Sequence, residues 1–466
     1  MRYMFILWNK NESLSNQKNK MKRISSLMVL LVWAVAMTAF NPVKNKKTNY
    51  AEPLITEKSS VVTLTQTESV VNGRPFLPLG LYAVGVEDMP MVKELGFNLV
   101  HNYGFRNKDM TEDKLLAYMD AAQKNGLMVY VNLDGFTITP EKEQRIRWMV
   151  KLLKNHPALY AWYLVDEPYI KNVKPEDLQR IYDWIKKEDP NHPVINSNWE
   201  LETFKDCCDL DMRQMYDGVP SKLTPDLEKY LKGSSKIGKP WLAIINAYDS
   251  GWGDKTIEKS VNPTSTFGKL DKEGHKPGSS EWEAEVERWS PFLKNLSNPA
   301  AAGLKTSTAF PDTPEKIRSS FYWAFVHGSN GLFYWLFTNP KNSISLRWGW
   351  YTVFHQPCLV EAIARTTKEL NELSRFLINP SKGSISFNAP ENPGIFVWSK
   401  CVGKERLLVI INETGEDFSG TIDLSALDIS SRRLKVYKED KRKIKLNQNS
   451  LTDFFRKEEV HVYFVK

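Results

Sequence analysis

The chain has 466 residues, of which 42% are hydrophobic and 25% charged. That is more than one ordinary domain, and the composition excludes wholesale disorder. The net charge of +8 sits entirely in the first 50 residues, which hold nine Lys/Arg and one acid; from residue 51 on, 54 basic face 54 acidic residues. The body therefore has no basic footprint for nucleic acid.

The charged N-terminus reads as a targeting segment. Met21-Lys22-Arg23 is a basic n-region, and Leu27–Ala39 is an apolar run of h-region length with small residues at its end. A membrane span needs roughly 20 apolar residues, more than this run offers before Asn41-Pro42. No cysteine follows it to carry a lipid. Residues 1–40 are read as a signal peptide, and the mature protein as exported, periplasmic or secreted, with no stable membrane insertion after cleavage. The four cysteines, Cys207, Cys208, Cys358 and Cys401, make no disulfide framework in a chain this long. No CxxC and no histidine pair at ligand spacing is present, so neither a metal nor a cofactor is expected.

From about residue 70, short apolar runs alternate with amphipathic stretches, the mark of βα units around a parallel sheet. The pattern predicts strands at Phe76–Val84, Phe97–Asn102, Leu127–Leu133, Leu159–Val165, Pro193–Asn198, Leu210–Tyr216, Pro240–Ala247 and Gly331–Phe337. Helices are predicted at Thr111–Asn125, Pro140–Asn155, Pro175–Glu188 and Leu223–Ser235, and at Gln356–Phe376 after the eighth strand. Thr, Pro or Asp stands near their starts, and Gly96, Gly126 and Gly238 stand where C-terminal caps belong. Eight such units predict an α/β fold, a (β/α)₈ TIM barrel over residues 70–379. An open dinucleotide-binding sheet would need a G-x-G-x-x-G turn, which Gly80-Leu81-Tyr82-Ala83-Val84-Gly85 does not provide.

Between Tyr248 and Thr313 lie about 64 residues, far beyond a usual βα loop. An insertion after a strand lies on the C-terminal face of a barrel, so this one is expected to form a lid or rim, with a helix at Ser280–Leu293. After Asn379-Pro380 the period changes to 2. Ile395–Ser399, Arg406–Asn412, Ser419–Leu424, Arg433–Tyr437 and Val460–Val465 predict a small antiparallel β-sandwich domain over residues 380–466. Its few aromatics, Phe387, Phe396, Trp398 and Phe418, suit packing better than ligand binding.

In a barrel the chemistry comes from the C-terminal ends of the strands. Those ends supply Tyr82, His101, Asn102, Tyr103, Asp134, Asp166, Glu167, Asn198, Trp199, Glu200, Tyr216, Asp217, Asn246, Tyr248, Asp249, Tyr334 and Trp335, with Trp252 just beyond. Acids and amides hydrogen-bond hydroxyls, and rings stack on the apolar faces of pyranoses, so the set suits a sugar. Asp166-Glu167-Pro168 is the sharpest feature. Two adjacent carboxylates under an apolar lining repel each other, which raises the pKa of one toward what a general acid needs. Pro168 is expected to hold Glu167 extended and end the strand.

Trp162–Pro168 resembles the end of the fourth strand in the large clan of (β/α)₈-barrel glycoside hydrolases, where Asn-Glu-Pro or Asp-Glu-Pro carries the acid/base glutamate. Arg318–Phe337, "RSSFYWAFVHGSNGLFYWLF", is similar to their last helix and eighth strand, and the C-terminal sandwich matches their usual partner domain. The resemblance implies an O-glycosyl hydrolase acting on an oligo- or polysaccharide. In it Glu167 is the general acid/base, and Asp166 contacts the sugar near its 2-position. Tyr82, His101, Asn102, Asp134, Asn198, Trp199, Glu200, Tyr216, Asn246, Tyr248, Trp252 and Trp335 become substrate contacts. The clan's nucleophile is a glutamate ending the seventh strand, where this chain has Asn246, and Asn cannot form the glycosyl ester. Three readings stay open. A second carboxylate comes from Asp217, Asp249, Glu200 or Asp134; or a 2-acetamido group of the substrate attacks, as in hexosaminidases with an Asp-Glu pair; or the chain binds carbohydrate without cleaving it.

Overall fold

The computed structural model describes residues 52–107, 109–133, 138–198, 201–216, 218–234, 237–247, 313–337, 352–355, 357–429, 433–439 and 442–465, with a few positions between 270 and 284. The expected signal segment and most of the long insertion, with its predicted helix, lie outside the described residues.

The chain opens on three short antiparallel strands, β1 (Val62–Leu64), β2 (Ser69–Val71) and β3 (Arg74–Pro75). Eight parallel strands follow: β4 (Leu79–Leu81), β5 (Leu99–Val100), β6 (Met128–Asn132), β7 (Leu159–Asp166), β8 (Val194–Ser197), β9 (Leu210–Met215), β10 (Trp241–Asn246) and β11 (Leu332–Trp335). Each pairs with its sequence neighbour, and β11 pairs with β4, closing the barrel. Seven of them lie inside the predicted ranges, and β7 runs one residue further, to Asp166.

Between the strands run α1 (Glu112–Lys124), α2 (Pro140–Leu153), α3 (Pro175–Glu188), α4 (Pro220–Ser234), α5 (Pro314–Val326) and α6 (Pro357–Glu372). Proline opens α2, α3 and α5, where its missing N–H is no loss. Thr139 and Thr313 cap α2 and α5 by accepting the Lys142 and Lys316 N–H, both at 3.3 Å. Gly96, Gly126 and Gly238 sit at φ 88°, 65° and 71°, the left-handed conformation that turns the chain back into the next strand.

Two apolar layers result. Leu159, Trp162, Leu164 and Val165 of β7 face the helices, while Tyr160, Ala161 and Tyr163 fill the lumen. Val62 of β1 and Val71 of β2 join that lumen cluster, so the opening strands contribute to the barrel's own core. Gly80 is required by close approach, because a Cβ there would stand 2.3 Å from the Phe333 ring.

The C-terminal region forms a six-stranded antiparallel sheet and a two-stranded one. The larger holds β12 (Ser384–Asn388), β13 (Ile395–Val402), β14 (Glu405–Asn412), β16 (Arg433–Val436), β17 (Lys443–Lys445) and β19 (Val460–Val465); the smaller pairs β15 (Phe418–Asp423) with β18 (Ser450–Phe455). It is tied to the barrel by polar contacts. Glu413 accepts from Thr224 at 2.8 Å and meets His327 at 2.7 Å, whose ring stacks on Phe396 at 4.0 Å. Arg318 of α5 donates to the Val460 carbonyl at 2.6 Å. α5 runs between barrel and sheet, and its residues from Ser319 to Val326 are buried without a break, Phe321, Tyr322, Trp323 and Phe325 among them.

Candidate active site

A pocket of about 180 Å³ opens at the C-terminal end of the barrel. Its wall includes both Asp166 and Glu167. In a regular strand two successive side chains point to opposite faces, so only one of them should reach it. Two local departures bring both there. The pairing of β7 with β8 slips between Tyr163 and Val165, an inserted residue at Leu164. Leu164 and Val165 consequently both face the helices, and Asp166 turns inward. Glu167 then adopts φ 51°, left-handed rather than extended.

The expectation that Pro168 holds Glu167 extended is thereby corrected. The Glu167 N–H is fixed on the Ser197 carbonyl at 2.8 Å, and its own carbonyl accepts the Lys171 N–H at 3.3 Å. Between those two points the chain turns tightly enough to override the preference that proline imposes. A non-glycine residue in this region carries strain of order 1–3 kcal/mol, which persists where flanking contacts determine it.

Charge around the pair is asymmetric. Lys171 Nζ stands 3.7 Å from Glu167 Oε2 and donates to the Asp166 carbonyl at 3.2 Å. Burial, reinforced by the neighbouring Glu167 charge, pushes the Asp166 carboxyl above the usual range. Gln214 of β9, buried and also in the wall, donates from Nε2 to Asp166 Oδ1 at 3.4 Å.

Aromatic rings make much of the rest. Tyr216 stacks on Trp335 with centroids 5.6 Å apart and planes 25° from parallel, and Trp335 Nε1 donates to the Tyr103 hydroxyl at 2.9 Å. The Trp335–Leu336 peptide is cis. Tyr82 and Tyr103 line the pocket, and burial raises both phenols far above the ordinary value, so neither ionises. Beneath them His101 is fully buried, ring-stacked on Tyr130 at 5.0 Å and bonded to Asn132 through Nε2 at 3.1 Å. Burial, with Arg106 nearby, holds its imidazole well below the ordinary range, so it is neutral.

Other expected contacts fall differently. Asn102 uses its amide on backbone, accepting from Gly104 N at 2.6 Å and donating to Val84 O at 3.1 Å. Asn198 is buried and held by Asp211, whose carboxyl, pushed by burial up to about 6, also accepts from Tyr230 at 2.7 Å. Leu210 and Met212 of the same strand pack in the lumen, whereas Asp211 alternates toward α4, outside it. Asn246 ends β10 in register with Trp335, fully buried, where the clan's nucleophile would stand. Asp134, Trp199, Glu200, Asp217, Tyr248, Asp249 and Trp252 lie outside the described residues. Tyr103, read among the strand-end residues, does line the pocket, whereas Gln214 was not anticipated. For Gln214 the signal was the period-2 run Leu210, Met212, Gln214, which places an amide inward near a strand end.

Among the described residues, no group of three or more His, Cys, Asp or Glu could hold a metal ion, and no helix is long and apolar enough to cross a membrane.

Residues 95–258 match the family model described as glycosyl hydrolases family 2, TIM barrel domain. No curated protein matches the sequence significantly. Among solved structures, the chain is similar to an alpha-amylase from Geobacillus thermoleovorans complexed with acarbose, at 11% identity over 82% of this chain and 91% of that one, TM-score 0.51. It also aligns with a GH2 beta-galacturonidase from Eisenbergiella tayi, at 16% identity, 67% and 54% coverage and TM-score 0.41. A third is a GH30 endoxylanase from Clostridium papyrosolvens, at 12% identity, 87% and 98% coverage and TM-score 0.42. The closed eight-stranded barrel and the antiparallel module that follows it give this chain the (β/α)₈ fold of these glycoside hydrolases, and residues 95–258 are similar to the barrel domain of family 2.

Proposed function

We propose that the protein is an exported enzyme that cleaves glycosidic bonds of an oligo- or polysaccharide, with Glu167 as general acid/base. The observation that carries this reading is the convergence of Asp166 and Glu167 on one pocket. A regular strand cannot achieve it, and the cost in backbone strain is retained at the site. Glu167 gives its proton to the glycosidic oxygen as the C–O bond to the sugar breaks. Asp166, buried and beside it, holds the group near the sugar's 2-position. Tyr216 and Trp335 offer a ring surface for a pyranose face.

The second carboxylate, as nucleophile or as base for water, is assigned to Asp217 or Asp249, which follow the pocket residue Tyr216 and the strand-end residue Asn246 within a few positions. Asn246 supports a second reading. With an amide at the end of the seventh barrel strand, a 2-acetamido group oriented by Asp166 can act as the nucleophile instead. Export rests on the basic and apolar N-terminal run, and the N-terminus of the protein recovered from its native host tests it.

The deciding experiment is a screen of the parent and Glu167→Gln against aryl glycosides, 2-acetamido aryl glycosides and natural glycans. Turnover that collapses in the variant supports the hydrolase, and turnover confined to 2-acetamido sugars selects the substrate-assisted route. Thermal shift by a glycan without turnover in either form replaces catalysis with carbohydrate binding.

A further inference from the structure

Gln214 is the pocket residue whose hydrogen-bonding capacity is only half used. It stands on β9, inward by alternation after Leu210 and Met212, and is 7% exposed. Its Nε2 donates to Asp166 Oδ1 at 3.4 Å. Its Oε1 is buried and has no hydrogen-bond partner. An amide in this state is unfavourable unless something completes it, since an unmet buried acceptor costs about 1–3 kcal/mol. The residue lines the same small pocket as both carboxylates. The acceptor is therefore placed where a ligand's O–H or N–H arrives.

The orientation of the amide follows from its neighbour. A carboxylate only accepts, so the NH₂ turns to Asp166 and the carbonyl is left facing away. At 3.4 Å the contact is long, as catalytic hydrogen bonds in unliganded sites often are before substrate tightens them.

We propose that Gln214 positions Asp166 and reads the substrate: its N–H fixes one carboxylate oxygen while its Oε1 accepts a hydrogen bond from a hydroxyl or acetamido N–H of the bound sugar. This rests on the pocket being the glycan site. Because Asp166 is the group placed near the sugar's 2-position, the group read by Gln214 is a substituent at or beside that carbon. A sugar lacking a donor there loses the bond and leaves the acceptor unmet, so Gln214 selects against 2-deoxy sugars.

The test has two arms. The first needs no substrate. In the full chain carrying ¹³C-labelled aspartate, with Asp166→Asn to assign the signal, the Asp166 carboxyl is titrated in the parent and in Gln214→Met. Methionine keeps the length and volume and removes both polar atoms. Loss of the donor leaves the ionised carboxyl less supported, so its midpoint moves to higher pH. An unchanged midpoint in a folded variant overturns the positioning role.

The second arm measures kcat and KM on the 4-nitrophenyl glycoside that the parent turns over and on its 2-deoxy counterpart. The parent discriminates between them by about 10-fold or more, as expected for a buried acceptor left unpaired. Gln214→Met loses most of that discrimination, and Gln214→Glu, which keeps an oxygen at the same reach, regains part of it at low pH. Equal discrimination in parent and Gln214→Met overturns the reading role, because a purely structural residue would lower stability without touching this ratio. A parent inert toward every glycoside would count against the hydrolase reading, and the titration arm would still decide the positioning of Asp166.

Discussion

The two ends of the barrel each hold a buried carboxylate in a constellation that looks catalytic, and they differ in almost every physical respect. Away from the pocket, near the starts of β7 and β8, Ser60 Oγ meets His192 Nε2 at 2.9 Å, and His192 Nδ1 meets Asp189 Oδ2 at 2.8 Å, the spacing of a hydrolytic triad. Yet Ser60 Oγ donates to the Leu159 carbonyl at 2.7 Å, Asp189 also accepts from Trp162 Nε1 at 2.7 Å and Asn191 N at 3.0 Å, and all three triad members are buried. Burial pushes the Asp189 carboxyl up, but the His192 and Trp162 bonds outweigh it and hold it below the ordinary range. In the pocket, burial and Glu167 push Asp166 the other way, Gln214 keeps an unmet acceptor, and Glu167 is backbone-strained. Triad spacing without access or an unmet valence staples a fold. The functional end is recognised by what is left incomplete.

The largest expected effect falls on the pocket. Glu167→Gln removes the transferable proton and should lower kcat on natural glycans about 10²–10⁴-fold. Aryl glycosides with acidic leaving groups should lose less, since their departing oxygen needs little protonation. A melting curve close to the parent's accompanies the loss. Undiminished turnover would break the assignment of the two ends.

At the other end the effect is on stability. His192→Ala leaves Asp189 buried without its main partner, and removing one member of a buried pair destabilises by about 3–5 kcal/mol. Denaturant unfolding measures this, while kcat per folded molecule stays at the parent's value. The depressed Asp189 carboxyl gives the sign of the pH dependence. Its contribution is complete above the unfolded carboxyl value, about 3.9, and disappears as pH falls through the lower folded value.

The same contrast explains what the sequence could reveal. The barrel strands were legible because core-facing runs such as Leu159–Val165 and Trp241–Ile245 are continuously apolar and bounded by turn residues. Ser384–Asn388 and Lys443–Lys445 escaped because they are short edge strands, whose polar–apolar alternation spans too few residues to stand out and whose Ile385 is exposed rather than in the core. The Asp166-Glu167-Pro168 motif was legible as chemistry, but its geometry was not. An inserted residue at Leu164 has no compositional signature, and the left-handed Glu167 is imposed by Ser197 and Lys171, which are distant in cause from the motif itself. The triad-like contact was equally hidden, because Ser60 and His192 are 132 positions apart.

Ser60→Ala sharpens the comparison further. It removes the donor to Leu159 and the partner of His192, so a loss of about 1–3 kcal/mol is expected. Ester and glycoside turnover should not change. A loss of hydrolysis of any substrate in this variant, with the fold intact, would make the staple an active site.

The smallest stability effect has the opposite sign and separates the two ends most cleanly. Asp166→Asn lowers turnover, yet it should leave the protein as stable as the parent or slightly more so. A buried acid whose folded pKa is raised weakens the folded state when it ionises, so the parent loses stability as pH climbs from the unfolded carboxyl value through the higher folded one. Asparagine removes that charge and its repulsion with Glu167, so the gain appears at neutral pH and vanishes in acid. Asp189→Asn, by contrast, surrenders a charge that its partners favour and destabilises at neutral pH. Melting temperatures of both variants from about pH 3 to pH 8 should therefore diverge from the parent in opposite directions as pH rises. If the two curves move together, burial alone governs both carboxylates, and the pocket holds no more stored cost than the staple does.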